Sequence, residues 1–295
     1  MGEKDLTEKM LFDYNDVFSD VVNVLLFNGK RIVGEDALEP AESRTQYKAD
    51  DQRIHELERD VLKLWKRNGV MLALYGIENQ TKSDNLMPFR VLAYDGASYR
   101  SQILKGDQEI YPVITMVLYF GKDHWTGPVS LTEGMDVPEE LKGYVSDYRI
   151  HVFEISYLSD EQIDMFRSDF KVVAEFFVKK RIDPKYRPKD KTVIKHVDAV
   201  LKLLAVFTGD HRYEDIITEY HEGRIEEVTN MCEVIDAWMA EGRTEGIKEG
   251  EAKAVYSLLQ KGRISLEDAS EELNIPVTEI EKKMAELGYK IPETV

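Results

Sequence analysis

Two apolar runs on either side of Arg67-Asn68-Gly69 constrain the fold of this chain more than any other segment. DVLKLW, residues 60–65, and VMLALYGI, residues 70–77, are rich in the branched and aromatic residues that favour β-strands. The Asn-Gly pair between them is a strong β-hairpin signal. We therefore predict an antiparallel hairpin over residues 60–80, against which the rest of a first domain must pack.

Two registers of this hairpin are compatible with its sequence, and they place its acidic residues differently. With a two-residue loop at Asn68-Gly69, Asp60 and Glu78 point to opposite faces of the sheet. With a three-residue loop that begins at Arg67 and ends in a glycine bulge, Asp60 lies across from Gly76 and shares its face with Glu78.

We favour the three-residue loop, in which Lys66 pairs with Val70, because it makes better use of both faces. Gln80 then also joins the face of Asp60. The apolar patch on that face consists of Leu62, Leu64, Leu72 and Leu74. A helix with one apolar stripe, predicted over residues 13–27, would cover this patch.

Asp60, Glu78 and Gln80 form an acid–acid–amide set at the open end of the hairpin. Two carboxylates that converge beside an apolar face are unfavourable unless a cation neutralises them. Carboxylate and amide oxygens, with scattered histidines and one cysteine elsewhere, favour Mg²⁺ or Mn²⁺ over zinc. Alternatively, the two acids are solvated strand ends. His55 lies close enough before Asp60 to enter the site as well.

The order of predicted elements favours an α/β fold over residues 1–182, with a mixed sheet and flanking helices. After the first helix, residues 30–57 are expected to form an irregular loop. The other predicted elements are a helix that follows Ser83, buried strands at 111–120 and 149–157, and a helix capped by Ser159 that extends to about residue 180.

The C-terminal part is expected to be helical. Residues 183–241 are predicted to form a helical extension. Residues 242–252 carry glycines four apart, which indicates either a flexible linker or a helix face for close packing. Residues 253–295 are typical of a small helix-turn-helix-like tail. The last of its three short helical segments, over 278–287, has more glutamates than lysines, so we favour a packing or homo-oligomerisation module over a DNA reader.

The charge of the chain argues against a broad nucleic-acid-binding surface. The formal net charge is −17, although residues 214–295 hold 20 of the 56 acidic and only 9 of the 39 basic residues. We do not predict tight nonspecific DNA binding. The densest basic cluster, Lys179-Lys180-Arg181, can contact DNA or end a solvated helix. With one cysteine and no long apolar stretch, we expect a cytoplasmic protein without membrane contact.

Three segments carry a family resemblance: ERDVLKLW, LYGIENQT and DNLMPFRVLAYDGASYRSQ. They resemble the Rpn family of recombination-promoting nucleases, also described as transposases, in the PD-(D/E)XK nuclease superfamily. The resemblance covers roughly residues 10–290 and is strongest at 58–120. It implies a restriction-endonuclease-like fold and a Mg²⁺-dependent DNA endonuclease that hydrolyses phosphodiester bonds in recombination or transposition.

The resemblance also implies roles for individual residues. Asp60 and Glu78 match the two metal-binding acids, and the backbone carbonyl of Asn79 would complete the metal shell. An acid on the first helix often assists in this superfamily. Asp20 is our candidate for that role, ahead of Asp16.

Gln80 stands where the superfamily usually has lysine, although Rpn-type proteins often carry glutamine there. A neutral amide can orient water but brings no positive charge to a phosphate. Lys82 is a candidate substitute; Lys63 would point to the wrong face. The alternative function is therefore a catalytically weak or inactive DNA- or protein-binding descendant of the nuclease fold.

The helix after the hairpin offers candidates for DNA contact. Arg90 and Tyr94 lie one helical turn apart and can reach a DNA backbone together. Tyr99 and Arg100 are weaker candidates for the same role. Ordinary helix packing is the alternative for all four.

Overall fold

The structure, a computed structural model, describes residues 10–41, 44–48, 54–106, 109–188, 191–223 and 228–290. The chain divides into two compact units, Met1–Glu233 and Val234–Val295. The first unit contains most of the predicted helical extension as well as the core over residues 1–182. The helical extension belongs to this unit because its aromatic side chains pack against the core. The ring centroids of Phe207, in the extension, and Phe120 are 4.3 Å apart.

The strands confirm the predicted α/β fold with a mixed sheet. They are β1 (Leu38–Pro40), β2 (Arg44–Lys48), β3 (Ile54–Glu58), β4 (Val61–Arg67), β5 (Val70–Gln80), β6 (Val113–Tyr119) and β7 (His151–Glu154). Within the described residues, the main sheet has the spatial order β1-β4-β5-β6-β7. The pairs β1–β4 and β4–β5 are antiparallel, and β5–β6 and β6–β7 are parallel. Strands β2 and β3 pair with each other.

The helices flank this sheet and form the C-terminal region. They are α1 (Asn15–Leu25), α2 (Met87–Lys105), α3 (Asp160–Met165), α4 (Phe170–Ile182), α5 (Val197–Thr208), α6 (Arg212–His221), α7 (Met231–Gln260), α8 (Leu266–Leu273) and α9 (Val277–Glu286). Helix α2 has Pro88 in its first turn and ends at Gly106, whose φ is 73°. It connects the parallel strands β5 and β6, as such a crossover requires. None of the helices in the described ranges is long and apolar enough to span a membrane.

The hairpin turns at Asn68-Gly69, where φ is 52° and 78°. Two positive φ angles are typical of a type I′ turn, which a two-residue loop favours. Arg67 accordingly pairs with Val70. The three-residue loop that we favoured, with Lys66 opposite Val70, is therefore wrong.

A β-bulge changes the register towards the open end of the hairpin. Strand β5 carries Leu72 as an extra residue, and beyond it Val61 pairs with Ile77. The position before Val61 is Asp60, and the position after Ile77 is Glu78. The bulge thus brings these acids to one side of the sheet, the outcome we expected from a different turn.

Helix α2 covers the face of the sheet to which the even-numbered positions of β4 point. The apolar side chains packed there include Leu62, Leu64, Leu74, Val113 and Tyr99 of α2. The expectation that the first helix covers this patch is wrong. Helix α1 lies on the opposite face, where the Lys63 ammonium stands 5.5 Å from the centroid of the Phe18 ring. Lys63 alternates with Leu62 along β4, so it must point the other way.

Two other expectations about secondary structure are corrected. Residues 30–57 are not irregular throughout, because they contain β1, β2, β3 and a 3₁₀ turn at Glu35–Ala37. The helix expected up to residue 180 begins at the Ser159 capping box but is divided into α3 and α4. Between them, the backbone N–H groups of Arg167 and Ser168 donate to Asp20 Oδ2, each at 2.7 Å.

The second unit is helical, as expected for the C-terminal region. The glycine-spaced residues 242–252 lie inside α7. Helix α8 begins at a capping box of Ser265 and Asp268 and ends at Asn274, whose φ is 50°. The apolar core of this unit consists of Val255, Tyr256, Leu259, Ala269, Ile280 and Met284.

Candidate active site

Asp60 and Glu78 lie together at one edge of the main sheet, where β4 begins and β5 ends. The backbone N–H of Asn79 donates to Asp60 Oδ2 at 2.7 Å, which ties the loop before β4 to the end of β5. The two carboxylates are close enough for the charge of Asp60 to raise the pKa of Glu78. The structure therefore brings together the two acids that the sequence singled out.

The carboxyl group of Glu78 is almost completely buried, with 1% of the residue exposed. Burial raises its pKa to about 8, and the negative charge of Asp60 contributes in the same direction, against the opposing charges of Arg90 and Arg59. Its Oε1 atom has no hydrogen-bond partner among the described residues. A buried carboxyl oxygen without a partner is unusual in a native protein and indicates a missing proton, water or cation.

Gln80 and Asn79 point to opposite faces at the end of β5. Gln80 is half-buried and, two residues after Glu78, lies on the same face. Its carbonyl accepts a hydrogen bond of 2.8 Å from the N–H of Phe120. The Asn79 side chain is buried on the other face, and neither of its amide atoms has a hydrogen-bond partner within the described ranges.

Arg90 of α2 brings a positive charge to the site. Its Nη2 lies 3.4 Å from Glu78 Oε2 and donates to the Tyr94 hydroxyl at 3.2 Å. Its Nη1 donates to Asp84 Oδ2 at 2.9 Å. The Arg90 side chain is 40% exposed, so the guanidinium faces solvent as well as the buried acid. Tyr94 is buried and orients Arg90 rather than offering a surface of its own.

Arg59 is a second cation of the site, and reasoning from the sequence missed it. Its buried guanidinium pairs with Asp95 Oδ1 at 2.9 Å. Asp95 also accepts hydrogen bonds from Thr115 and Tyr148. Burial lowers the pKa of Arg59, while the charges of Asp95 and Glu78 oppose that shift.

Gly76 leaves room for Arg59 and not for Asp60. Leu62, not Asp60, lies opposite Gly76 in the sheet, which corrects the expected pairing. A β-carbon at position 76 would lie 2.5 Å from Arg59 Cδ. An arginine directly before the candidate acid and a glycine inside an apolar strand were the sequence signals for this contact.

Several other candidates lie away from the two acids. Asp20 accepts from the side chain of Arg31 and from two backbone N–H groups before α4. Asp16 pairs with Lys195 and His196, at 2.7 and 3.1 Å. Lys63 is on the other face, where it donates to Asn15 Oδ1 at 2.6 Å.

The remaining candidates are at the surface, in the core or outside the described side chains. Lys82 and Arg100 are exposed. The Tyr99 hydroxyl accepts from the N–H of Val113 at 3.0 Å, so Tyr99 supports the start of β6. His55 belongs to a strand whose side chains lie outside the described part of the structure.

The donor set at Asp60 and Glu78 fits a divalent cation. Two carboxylates are adjacent, and one buried oxygen of Glu78 lacks a hydrogen-bond partner in the described residues. A cation would compensate the burial of this charge. No group of three or more His, Cys, Asp or Glu side chains in the described part is arranged to hold a metal. Such a site would therefore also need the Asn79 carbonyl and water, which Mg²⁺ readily retains.

One comparison with known proteins bears on this site. Residues 60–206 match the model of a family described as "Putative transposase, YhgA-like". The match begins at Asp60 and includes the hairpin, α2, the parallel strands and most of α5. No curated protein and no solved structure matches the chain significantly.

Proposed function

Because this chain belongs to the family of YhgA-like putative transposases, we propose that it is a metal-dependent DNA endonuclease that hydrolyses phosphodiester bonds during recombination or transposition. Family membership supports DNA as the partner. The mixed sheet with helices on both faces supports the proposal that the fold is that of a PD-(D/E)XK nuclease. Asp60, Glu78 and Gln80 are the proposed catalytic residues.

The observation that carries the proposal is the buried oxygen of Glu78 beside Asp60, which has no hydrogen-bond partner in the part of the chain that the structure describes. Most buried side-chain oxygens have at least one hydrogen-bond partner. In a metal site, the same oxygen is a ligand that burial keeps available. The raised pKa of Glu78 reflects first its burial and second the nearby charge of Asp60, and a bound cation would offset both.

Each residue of the site has its own proposed role. Asp60, Glu78 and the carbonyl of Asn79 would hold Mg²⁺ or Mn²⁺. When bound, the cation polarises the scissile phosphate and lowers the pKa of a water molecule. Gln80, on the same face, orients that water through its amide. Both carboxylate oxygens of Asp20 accept hydrogen bonds, from Arg31 and from the backbone before α4. We therefore leave Asp20 out of the proposed metal site.

Gln80 stands where the superfamily usually has a lysine, and Arg90 supplies the positive charge that this lysine would bring. Its guanidinium reaches Glu78 and remains 40% exposed, so it can stabilise negative charge on an attacked phosphate. Asp84 and Tyr94 hold it in place through two hydrogen bonds. Arg59, held by its ion pair with Asp95, lies behind the site, where its positive charge acts on Glu78.

A second candidate function is a binding protein that retains the fold without useful catalysis. The neutral amide of Gln80 and the net charge of −17 favour it. The two candidate functions differ in whether the protein cleaves DNA and needs Asp60 and Glu78 to do so.

The test is a plasmid-nicking assay with Mg²⁺ or Mn²⁺ on wild type, Asp60→Asn, Glu78→Gln and the control Asp123→Asn, which alters an exposed acid. We expect metal-dependent nicking by wild type and the control only. Nicking that survives in both site variants contradicts the assignment. Absence of nicking by wild type over a range of metals, salts and DNA substrates would favour the binding protein.

A further inference from the structure

A pocket of 340 Å³ lies at the same edge of the sheet as the candidate active site. Its apolar wall consists of Phe120, after β6, Phe177 of α4 and Phe207 of α5. The rings of Phe177 and Phe207 lie 5.0 and 4.3 Å from that of Phe120, centroid to centroid. This volume lies in the range of pockets that bind small organic groups. We refer to it as the aromatic pocket.

Three cations line the aromatic pocket: Lys122, Lys180 and Arg181. No acidic side chain lines it within the described residues. Arg181 is held in place, because its Nε donates to the carbonyl of Ser156 at 2.8 Å and its guanidinium lies 4.2 Å from the Tyr157 ring centroid. In a chain with a net charge of −17, such a local group of positive charges favours an anionic ligand.

The aromatic pocket and the candidate active site are close neighbours. Thr81, which lines the pocket, is three residues beyond Glu78, a distance of about 10 Å along a strand. The backbones are joined where the N–H of Phe120 donates to the carbonyl of Gln80 at 2.8 Å. Glu78 lies on the α2 face of the sheet, and Phe120 lies on the other face. A nucleic-acid strand that crosses this edge would therefore contact both.

We propose that the aromatic pocket binds an unpaired nucleotide of the DNA strand that is cut, with the base against the phenylalanine rings and the phosphates beside Lys122, Lys180 and Arg181. This inference rests on the proposed function, which brings a DNA strand to the neighbouring acids. The pocket determines which substrates fit, and single-stranded or locally opened DNA is preferred over intact duplex.

The chemistry of the aromatic pocket favours an unpaired base. Bases inside a duplex are stacked on each other, so their faces are not available to the phenylalanine rings of the pocket. An unpaired base exposes its π-face, and aromatic side chains bind any base in this way. A duplex binder would instead need an extended basic surface, which the composition of this chain does not favour.

The experiment measures binding without cleavage. Fluorescence anisotropy in EDTA compares a labelled single-stranded DNA of about 12 nucleotides with the corresponding duplex. The variants are Lys122→Ala/Lys180→Ala, which removes two charges, and Thr208→Trp, which fills the pocket from an exposed lining position. The control is Lys142→Ala/Lys185→Ala, which removes two exposed charges outside the pocket.

We expect wild type and the control to prefer the single strand. Both pocket variants should bind it about tenfold more weakly, Thr208→Trp because the base loses its stacking site and the double lysine variant because two phosphate contacts are lost. The double lysine variant should also reduce the salt dependence of log Kd by about 1.4, the value for two phosphate contacts on a single strand. Equal affinity of pocket variants and control, preference for duplex, or no single-strand binding by wild type would each overturn the proposal.

Cleavage separates this proposal from the proposed function. If wild type nicks plasmid with Mg²⁺ while the pocket variants bind single strands normally, the nuclease stands and the aromatic pocket does not. If the pocket variants lose single-strand binding but wild type shows no metal-dependent nicking, the pocket stands and the nuclease does not.

Discussion

The guanidinium of Arg59 lies directly over Gly76, so that a β-carbon at position 76 would stand 2.5 Å from Arg59 Cδ and 2.7 Å from Nη1. Glycine at this position is what allows a large cation to lie between the sheet and α2. From there Arg59 pairs with Asp95 and acts on Glu78 through its charge.

Gly76→Ala should destabilise the first unit by about 1–3 kcal/mol, because Arg59 must shift and its pair with Asp95 weakens. The measurement is urea unfolding followed by circular dichroism. The control is Gly96→Ala in α2, where an added β-carbon meets open space, and it should stabilise by about 0.5–1 kcal/mol. Equal effects of the two changes would contradict the close contact.

Glu78→Gln should remove a pH dependence of stability. The pKa of Glu78 is about 8 in the folded protein against 4.5 for the free side chain. Between these values the folded state keeps a proton that the unfolded state releases, so wild-type stability falls as pH rises, by up to about 1.4 kcal/mol per unit. The difference in unfolding free energy between variant and wild type should therefore grow from pH 5 to pH 8. A constant difference would show that Glu78 titrates normally.

Divalent cations should stabilise wild type but neither Asp60→Asn nor Glu78→Gln. At pH 8, millimolar Mn²⁺ should raise the melting temperature of wild type, because a ligand that binds only the folded state stabilises it. This readout does not depend on DNA cleavage. Asp123→Asn should respond like wild type, and an equal rise in all four proteins would place the cation elsewhere.

Arg90→Ala should reduce the rate of DNA cleavage by about 10²-fold, the usual effect of losing one group that stabilises transition-state charge. Cation-induced stabilisation should remain, since Arg90 is not a proposed ligand. Arg90→Lys should restore part of the rate. Lys105→Ala, a charge change in the last turn of the same helix, is the control. Loss of cation binding in Arg90→Ala would instead indicate a structural role.

Much of the fold is determined by short stretches of sequence. The Asn68-Gly69 turn, the capping boxes at Ser159 and Ser265, and the helical stripe of α1 depend on residues within a few positions of each other. Local interactions of this kind do not need the rest of the chain. The two acids of the candidate site were identified from the sequence through the hairpin and the family resemblance of the segments around it, although the turn expected for that hairpin was wrong.

The tertiary structure decided which residues meet those acids. Two hairpin registers fitted the sequence, and a bulge at Leu72 gave the two-residue turn the face parity that we had expected from a three-residue loop. Arg59 and Asp95 are 36 positions apart, and Phe120 and Phe207 meet only when α5 packs on the sheet. Such contacts depend on how entire faces of the sheet and the helices pack against each other. Packing arrangements that differ by only a few kcal/mol are equally compatible with the local sequence pattern. The sequence by itself thus determined the hairpin strands, β6, β7, the helix caps and the candidate acids, while long-range packing decided the first three strands, the hairpin register, the buried cation and the aromatic pocket.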